Sequence, residues 1–407
     1  MCGERAGGDF RDWYAASQEY TWRVKRSVDR ILTTHVGSLV RPPELLESPE
    51  GVQREAVLQR SVADVVRQQA EVGIDVPSDG EYGKSGWFLY LTERTSGFES
   101  REAEPPAIGV MGRERVDRFV EYYDEQIAAG GVITPTAFSR RLVATGPIRY
   151  TDAGRALLQR DISNFKAGLA DAHLDEGFLP LIAPASVFPS HGNEYYASEE
   201  EYLFGLADAL HEEYQMVVDA GLILQVDDAI LLNMHDSVVA AGQDYRRWMR
   251  LRLDALNHAL RGLPEDRVRY HLCWGSWHGP HTSDVPLRDI VDLVLTVNVG
   301  AYSIEAANPR HEHEWVVWQD VKKLPADKVL IPGVVTHHIA TVEHPELVAQ
   351  RIVRFASVVG RENVIAGSDC GFAQSQGIRR QHPSIMWAKL EALAEGARLA
   401  SRRLWNA

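Results

Sequence analysis

The sequence predicts an α/β protein built as a (β/α)8 TIM barrel, with an N-terminal extension and an insertion after strand two. Short apolar runs alternate with segments of helical periodicity, which is the pattern of parallel βα units. Polar and titratable residues collect where the apolar runs end, and that edge carries the active site in such barrels. A doubly wound open sheet is the alternative, although no Gly-rich phosphate loop follows any predicted strand.

Each predicted strand is a short apolar run that ends in polar residues. The eight runs cover residues 30–37, 74–79, 178–184, 222–228, 268–274, 301–306, 328–335 and 363–369. Apolar residues at helical spacing predict a helix around 58–66 and a second one that ends at Ala220-Gly221. A third predicted helix begins at Pro345 and ends near Gly360.

Two segments fall outside this alternation. Residues 1–29 are predicted as a polar N-terminal extension of a barrel that occupies residues 30–407. Residues 85–150 combine aromatic residues with a helix-like run at 116–127 and a strand-like piece at 142–150. We interpret them as an insertion over the top of the barrel, which either shields the site as a lid or elaborates the packing.

Composition excludes several classes of function. The net charge of −14, without a cluster of Lys and Arg, argues against a nucleic-acid surface. Three cysteines are too few for a disulfide framework, and no apolar stretch is long enough to predict a signal peptide or a membrane span. We therefore expect a cytoplasmic protein with small-molecule partners and no membrane partner; whether it forms a homo-oligomer is left open.

Four residues at strand ends have the chemistry of a zinc site. His271 and Cys273 are two residues apart, so their side chains point to the same side of a strand, and Glu305 and Cys370 follow two further strands. Zn²⁺ accepts imidazole nitrogen, thiolate and carboxylate, and thiolates favour it over Mg²⁺ or Ca²⁺. A buried cysteine can also be a small apolar residue, and zinc can be structural, but the wide separation of the ligands favours a catalytic zinc.

An ordered set of motifs resembles the cobalamin-independent methionine synthase family, specifically its C-terminal catalytic barrel. The motifs are TTHVGS at 33–38, DGE at 79–81, QVDD at 225–228, HLC at 271–273, IE at 304–305, PGVVTHH at 332–338 and SDCG at 368–371. The resemblance implies a (β/α)8 barrel with a catalytic zinc, and His271, Cys273, Glu305 and Cys370 match its four ligands.

The resemblance also implies roles for residues that meet the substrates. Asp227 and Glu81 match acidic contacts to the amino acid homocysteine, and Gly37 and Ser38 fall in the loop that meets its backbone part. His338 matches a histidine that handles protons near the methyl donor, with His337 as its rival.

The chain also departs from that family. A full-length enzyme of the family carries two barrels, whereas this chain has room for one, and the strand-five motif differs from the synthase's Asp-Glu-Pro-Ala. These features resemble short single-barrel relatives, which include the epoxyalkane:coenzyme M transferases.

The predicted function is that of a zinc-dependent alkyl (methyl) transferase. A thiol such as homocysteine is activated as a zinc thiolate and attacks an electrophilic carbon. Asp227 and Glu81 favour a thiol that carries an ammonium group. The alternatives are an epoxyalkane:coenzyme M-type thiol transferase and a uroporphyrinogen-decarboxylase-like enzyme, which shares the barrel and needs no zinc.

Overall fold

The central element of the computed structural model is a curled parallel sheet surrounded by helices. The structure describes residues 24–102, 113–129, 140–187, 191–320, 324–325 and 327–405. The strands are Leu32–Thr33 (β1), Thr95–Glu102 (β2), Arg140–Tyr150 (β3), Phe178–Ile182 (β4), His191–Asn193 (β5), Ile223–Asp228 (β6), Val268–Leu272 (β7), Ala301–Ile304 (β8), Val329–Val335 (β9), Ile365–Ser368 (β10), Ala373–Ser375 (β11) and Ile378–Arg379 (β12). Seven of them form the parallel sheet in the order β1-β10-β9-β8-β7-β6-β4.

Residues 76–78 lie beside both edges of this sheet. Parallel bridges join Val76 to Thr34, next to β1, and Ser78 to Phe178 in β4. Seven of the eight predicted strands are confirmed, whereas the predicted strand at 74–79 occurs only as these isolated bridges. The N–H groups of Asp75 and Val76 both donate to Thr33 O, and Pro77 has no N–H group to donate, so this segment does not form a regular ladder.

The helices cover the outside of the sheet. They are Pro43–Glu47 (α1), Val52–Glu71 (α2), Tyr90–Arg94 (α3), Val120–Ala128 (α4), Asp152–Asp171 (α5), Pro184–Val187 (α6), Glu199–Asp219 (α7), His235–Ala240 (α8), Tyr245–Ala259 (α9), Val291–Val294 (α10), Val317–Asp320 (α11), Pro345–Val359 (α12) and Pro383–Trp405 (α13). The three predicted helices correspond to α2, α7 and α12. Side-chain caps begin two of the long helices, because Thr151 accepts from Gly154 N at the start of α5 and Ser198 accepts from Glu201 N at the start of α7.

A second, smaller sheet lies within and just after the predicted insertion. Strand β2 pairs antiparallel with β3, and β5 pairs parallel with β3. The helix-like run at 116–127 corresponds to a π-helical turn at Glu114–Arg118 followed by α4. The strand-like piece at 142–150 lies in β3.

The predicted N-terminal extension is described only from residue 24. Residues 1–23 lie outside the described part of the chain. Ser27 donates a 2.6 Å hydrogen bond to Val364 O, and Val24 packs against two small apolar clusters formed by residues of the sheet and its flanking segment. Residues 24–27 therefore contact the sheet directly. Among the described helices, none combines the length and the apolar character needed to cross a bilayer.

Candidate metal and substrate site

A cavity of about 260 Å³ lies where the parallel strands end in the chain direction. Register explains why side chains from distant parts of the sequence meet there. Asp227 in β6 pairs with His271 in β7, which pairs with Ser303 in β8, so these three residues form a row across neighbouring strands. Cys370 follows β10 by two residues and lines the same cavity as Asp227 and His271.

Three of the four predicted zinc ligands form one cluster. Ligand atoms of His271, Cys273 and Cys370 all lie within 4.8 Å of one another, and the two sulfur atoms are 3.9 Å apart. His271 and Cys273 are buried, and Cys370 is partly buried at the cavity wall. The hydrogen bond with Cys273 and the imidazole of His271 lower the pKa of the Cys370 thiol. The pKa of the Cys273 thiol is raised by the same contact, so the pair favours ionisation at Cys370.

The hydrogen bonding of His271 fits a metal ligand. Its Nδ1 lies 3.2 Å from Ser303 Oγ, which can hold the ring in one tautomer. Its Nε2 is buried and has no nitrogen or oxygen partner within the described ranges. A buried ring nitrogen without such a partner, beside two sulfur atoms, is the donor set that Zn²⁺ prefers. The residues present therefore fit a zinc ion.

Glu305, the fourth predicted ligand, lies beside this cluster and is not part of it. Its Oε1 accepts a 2.9 Å hydrogen bond from Trp274 N, and its Oε2 accepts a 2.7 Å bond from Asn308 Nδ2. Burial and the nearby Asp369 and Cys370 raise the pKa of Glu305 well above its usual range. The carboxylate thus holds the backbone that follows Cys273, and its role as a ligand remains a prediction.

The acidic residues predicted to meet the substrate lie in the cavity wall. Asp227 Oδ1 accepts a 2.6 Å bond from Gln225, and burial raises the pKa of Asp227 to about 7. Glu81 has φ of 60°, a strained value for a residue with a side chain. Its Oε1 lies 3.3 Å from Lys84 Nζ, and its Oε2 is buried without a hydrogen-bond partner in the described part of the chain.

The loop after β1 brings its backbone close to β4. Gly37 has φ of 129°, and a Cβ at this position would lie 2.7 Å from Pro180 Cγ, so only glycine fits without rearrangement. Ser38 lines the cavity, and its buried Oγ has no partner among the described residues. Ser38 O accepts a 2.8 Å hydrogen bond from Phe372 N, which ties this loop to the chain after Cys370.

The two candidate proton-handling histidines lie beyond the cavity lining. His338 is partly exposed, its ring centre is 5.0 Å from that of His337, and burial together with His281 and His278 lowers its pKa to about 4. His337 is buried, and neither ring nitrogen has a hydrogen-bond partner within the described ranges. Both imidazoles are therefore neutral at pH 7.

The cavity wall also contains residues that were not among the predicted site residues. Arg380 lines the cavity from the segment that follows the β11–β12 hairpin, and Trp87, Phe88 and Trp277 supply an aromatic wall. The only sequence signal for the hairpin is the Gly377 turn after the SDCG motif. That signal does not reveal which way Arg380 points.

The predicted insertion contacts the loop that follows β7. Glu114 accepts hydrogen bonds from Thr282 Oγ1 at 2.7 Å, Ser283 N at 2.9 Å and His281 N at 3.1 Å. Trp277 of the same loop lines the cavity and donates a 3.2 Å bond to the Tyr123 hydroxyl. The insertion therefore fixes one wall of the cavity.

Comparisons with known proteins agree with this architecture. The profile of the family described as "Cobalamin-independent synthase, Catalytic domain" matches residues 110–384. The methionine synthase of Thermococcus kodakarensis is 25% identical over 384 residues, which are 91% of this chain and 94% of that protein. The methionine synthase of Saccharolobus solfataricus is 24% identical over 383 residues, covering 91% and 95%.

Solved structures share the fold. A B12-independent methionine synthase from Shewanella sp. W3-18-1, in complex with selenomethionine, superposes with a TM-score of 0.69 at 18% identity, covering 93% of this chain and 100% of that one. A putative vitamin-B12-independent methionine synthase from Listeria monocytogenes gives 0.60 at 19% identity, covering 90% and 98%. Both likenesses concern the fold alone.

Proposed function

The chain belongs to the cobalamin-independent synthase catalytic-domain family, and from that membership we propose that it is a zinc-dependent enzyme that transfers a methyl or other alkyl group to a thiol. The observation that carries the proposal is the cluster of His271, Cys273 and Cys370 in a cavity that also holds Glu81 and Asp227. Homocysteine is the proposed thiol, because relatives of matching length are methionine synthases and the acidic pair suits its ammonium group.

His271, Cys273 and Cys370 would hold the zinc, with Glu305 as the proposed fourth ligand. When bound, zinc acts as a Lewis acid that lowers the pKa of an incoming thiol. Asn308 and Trp274 N hold the Glu305 carboxylate beside the cluster, where it would serve as that fourth ligand. Ser303 orients the imidazole of His271 for the same purpose.

The other residues of the site position the thiol and handle its proton. Glu81 and Asp227 bind the ammonium group, and the Gly37–Ser38 loop meets the backbone part of the amino acid. In the reaction a sulfur–carbon bond forms and the bond from that carbon to its leaving atom breaks. The thiol proton is lost and the leaving atom gains one. In this scheme His338 takes up the thiol proton and passes it to the leaving atom, with His337 as the alternative; the His338 imidazole is neutral at pH 7 and can therefore accept that proton first.

We further infer that the parallel sheet closes into a (β/α)8 barrel. Residues 76–78 would be its eighth strand, because they bridge both edges of the seven-stranded sheet. The region 85–150 would be an insertion that covers the barrel mouth, since Glu114 and Tyr123 contact the loop after β7. A covered site excludes water from a reactive thiolate, which favours alkyl transfer over side reactions.

Metal analysis combined with substitution tests the proposal. Wild-type protein purified without chelators should contain about one zinc per chain, and Cys273→Ser and Cys370→Ser should each lose most of it, by about 10–100-fold in affinity or more. Cys2→Ser is the matched control, because it removes the remaining cysteine of the sequence. Activity is then measured by mass spectrometry, with homocysteine as acceptor and methyl-folate, methylcobalamin, S-methyl compounds or epoxides as donors. Full activity in zinc-free protein would contradict the proposal.

A further inference from the structure

The cavity wall contains a partly buried cation that the proposed chemistry does not use. Arg380 lines the cavity, and its Nε and Nη1 atoms are buried without a hydrogen-bond partner among the described residues. No carboxylate in that part of the chain lies close enough to Arg380 to form an ion pair with it. A buried guanidinium that lacks acceptors is costly, and the usual compensation is an anionic partner.

Arg380 is held in place by its backbone and its neighbours. Its N–H donates a 2.9 Å hydrogen bond to Phe372 O, which closes the β11–β12 hairpin. The hairpin docks on the chain after Glu81, where Trp87 N donates a 3.0 Å bond to Gln374 O. The next residue, Gln381, donates from its side chain to His337 O at 2.9 Å. The unpaired guanidinium is therefore built into the site and does not belong to a free surface loop.

The charged groups around Arg380 leave it free to bind an anion. Burial lowers the pKa of Arg380 to about 10, so the side chain remains charged at neutral pH. Within the described part of the chain, the negative charge that opposes it is that of Cys370. Two histidines, His278 and His337, are also close enough for the positive charge of Arg380 to lower their pKa values. Each of these imidazoles is neutral and cannot replace a carboxylate.

We propose that Arg380 binds the acidic group, a carboxylate or a sulfonate, of a substrate whose reacting atom lies beside Cys370. The planar guanidinium matches such oxyanions with paired N–H donors. The proposal deepens the proposed function, on which it rests for the nature of the reaction. The same cavity carries Glu81 and Asp227, so it presents both signs of charge, as a zwitterionic thiol requires. The acidic group can belong to the thiol or to the alkyl donor, and the experiment separates these two sources.

Calorimetry on Arg380→Gln and wild-type protein, with zinc content matched, tests the thiol as the source. Homocysteine should bind Arg380→Gln about 10–100-fold more weakly, because a charge-assisted pair is lost. The decarboxylated analogue 3-aminopropanethiol should bind both proteins equally. Arg380→Lys keeps the positive charge but lacks the paired N–H donors of the guanidinium, so it should recover part of the lost affinity for homocysteine. Arg379→Gln, an exposed neighbour, is the control and should leave affinity unchanged.

Steady-state kinetics test the donor as the source. If Arg380→Gln leaves thiol affinity intact but raises the KM of an acidic donor by about 10-fold with kcat preserved, the acid belongs to the donor.

Binding of methanesulfonate, measured by tryptophan fluorescence, tests the Arg380 site without a thiol and without turnover. Wild-type binding that Arg380→Gln loses would uphold the Arg380 site even if the proposed reaction is wrong. Equal binding of methanesulfonate, homocysteine and donor by both proteins, or an equal loss in Arg379→Gln, would overturn the proposal.

Discussion

His35 makes the stability of this protein depend on pH in a way that can be calculated. The ring is buried, its Nε2 lies 2.6 Å from Gln69 Oε1, and its Nδ1 accepts a 3.0 Å hydrogen bond from Gly37 N. Gln69 Oε1 can only accept, so His35 Nε2 carries the proton and Nδ1 does not. Protonation of Nδ1 would point two N–H groups at each other. The charged side chain that acts on the ring is Arg269, whose positive charge also lowers the pKa of His35.

The sign and size of the effect follow from the pKa of His35. Burial lowers this pKa from 6.5 to about 4, so between these two values the unfolded chain binds a proton that the folded chain does not. The stability that the neutral ring contributes is present above pH 6.5 and is lost as the pH falls. The free energy of unfolding should fall by about 2 kcal/mol between pH 7 and pH 5, and by about 3 kcal/mol by pH 4, from His35 alone.

Urea unfolding at several pH values measures this contribution. His35→Gln should be less stable than wild type at pH 7, but the difference between the two proteins should shrink by about 2 kcal/mol at pH 5. His313→Gln, at an exposed histidine, should keep a constant difference from wild type. A His35→Gln difference that stays the same from pH 7 to pH 5 would refute the reasoning.

Three further substitutions test the packing around the site. Gly37→Ala should cost about 2–4 kcal/mol in unfolding experiments, because its Cβ would lie 2.7 Å from Pro180 Cγ and its φ is 129°. Asp161→Asn should cost about 3 kcal/mol, because it removes the 2.6 Å ion pair of the buried Arg94. Glu114→Gln should cost about 1.5–3 kcal/mol and speed hydrogen exchange in residues 275–284, because their loop loses charge-assisted hydrogen bonds.

Matched substitutions separate these mechanisms from general effects. Gly51 also has a positive φ, of 105°, but a Cβ there would meet nothing within 4 Å, so Gly51→Ala should cost only the backbone strain, about 1–2 kcal/mol. Asp64→Asn breaks an exposed ion pair with Arg67 and should cost less than about 1 kcal/mol. Asp117→Asn, an exposed acid near Glu114, should leave hydrogen exchange in the loop unchanged. If a control substitution changed unfolding free energy, or for Asp117→Asn the hydrogen exchange of the loop, as much as its test substitution does, the corresponding prediction would be contradicted.

The candidate site shows where sequence reasoning reaches its limit. His271 and Cys273 could be assigned to one side of a strand from their spacing alone, because side chains alternate along a strand. Cys370 joins them because parallel strands end at one edge of the sheet, which the alternation of strands and helices already implied. The hydrogen bonds of Glu305 to Trp274 and Asn308 could not be foreseen, since they depend on the path of two loops.

The order of the chemical groups along the chain, the parallel α/β class and the side of the sheet that carries the site are properties of the sequence. They follow from local periodicity and from the identity of residues at strand ends, which need no knowledge of distant contacts. Only the tertiary structure decided that residues 76–78 form isolated bridges in place of a regular strand and that Glu114 holds the loop after β7. It also decided that Arg380 enters the cavity with Nε and Nη1 lacking a hydrogen-bond partner among the described residues. Each of these depends on loop conformation and long-range packing, where the contacts that stabilise a side chain come from residues far away in sequence.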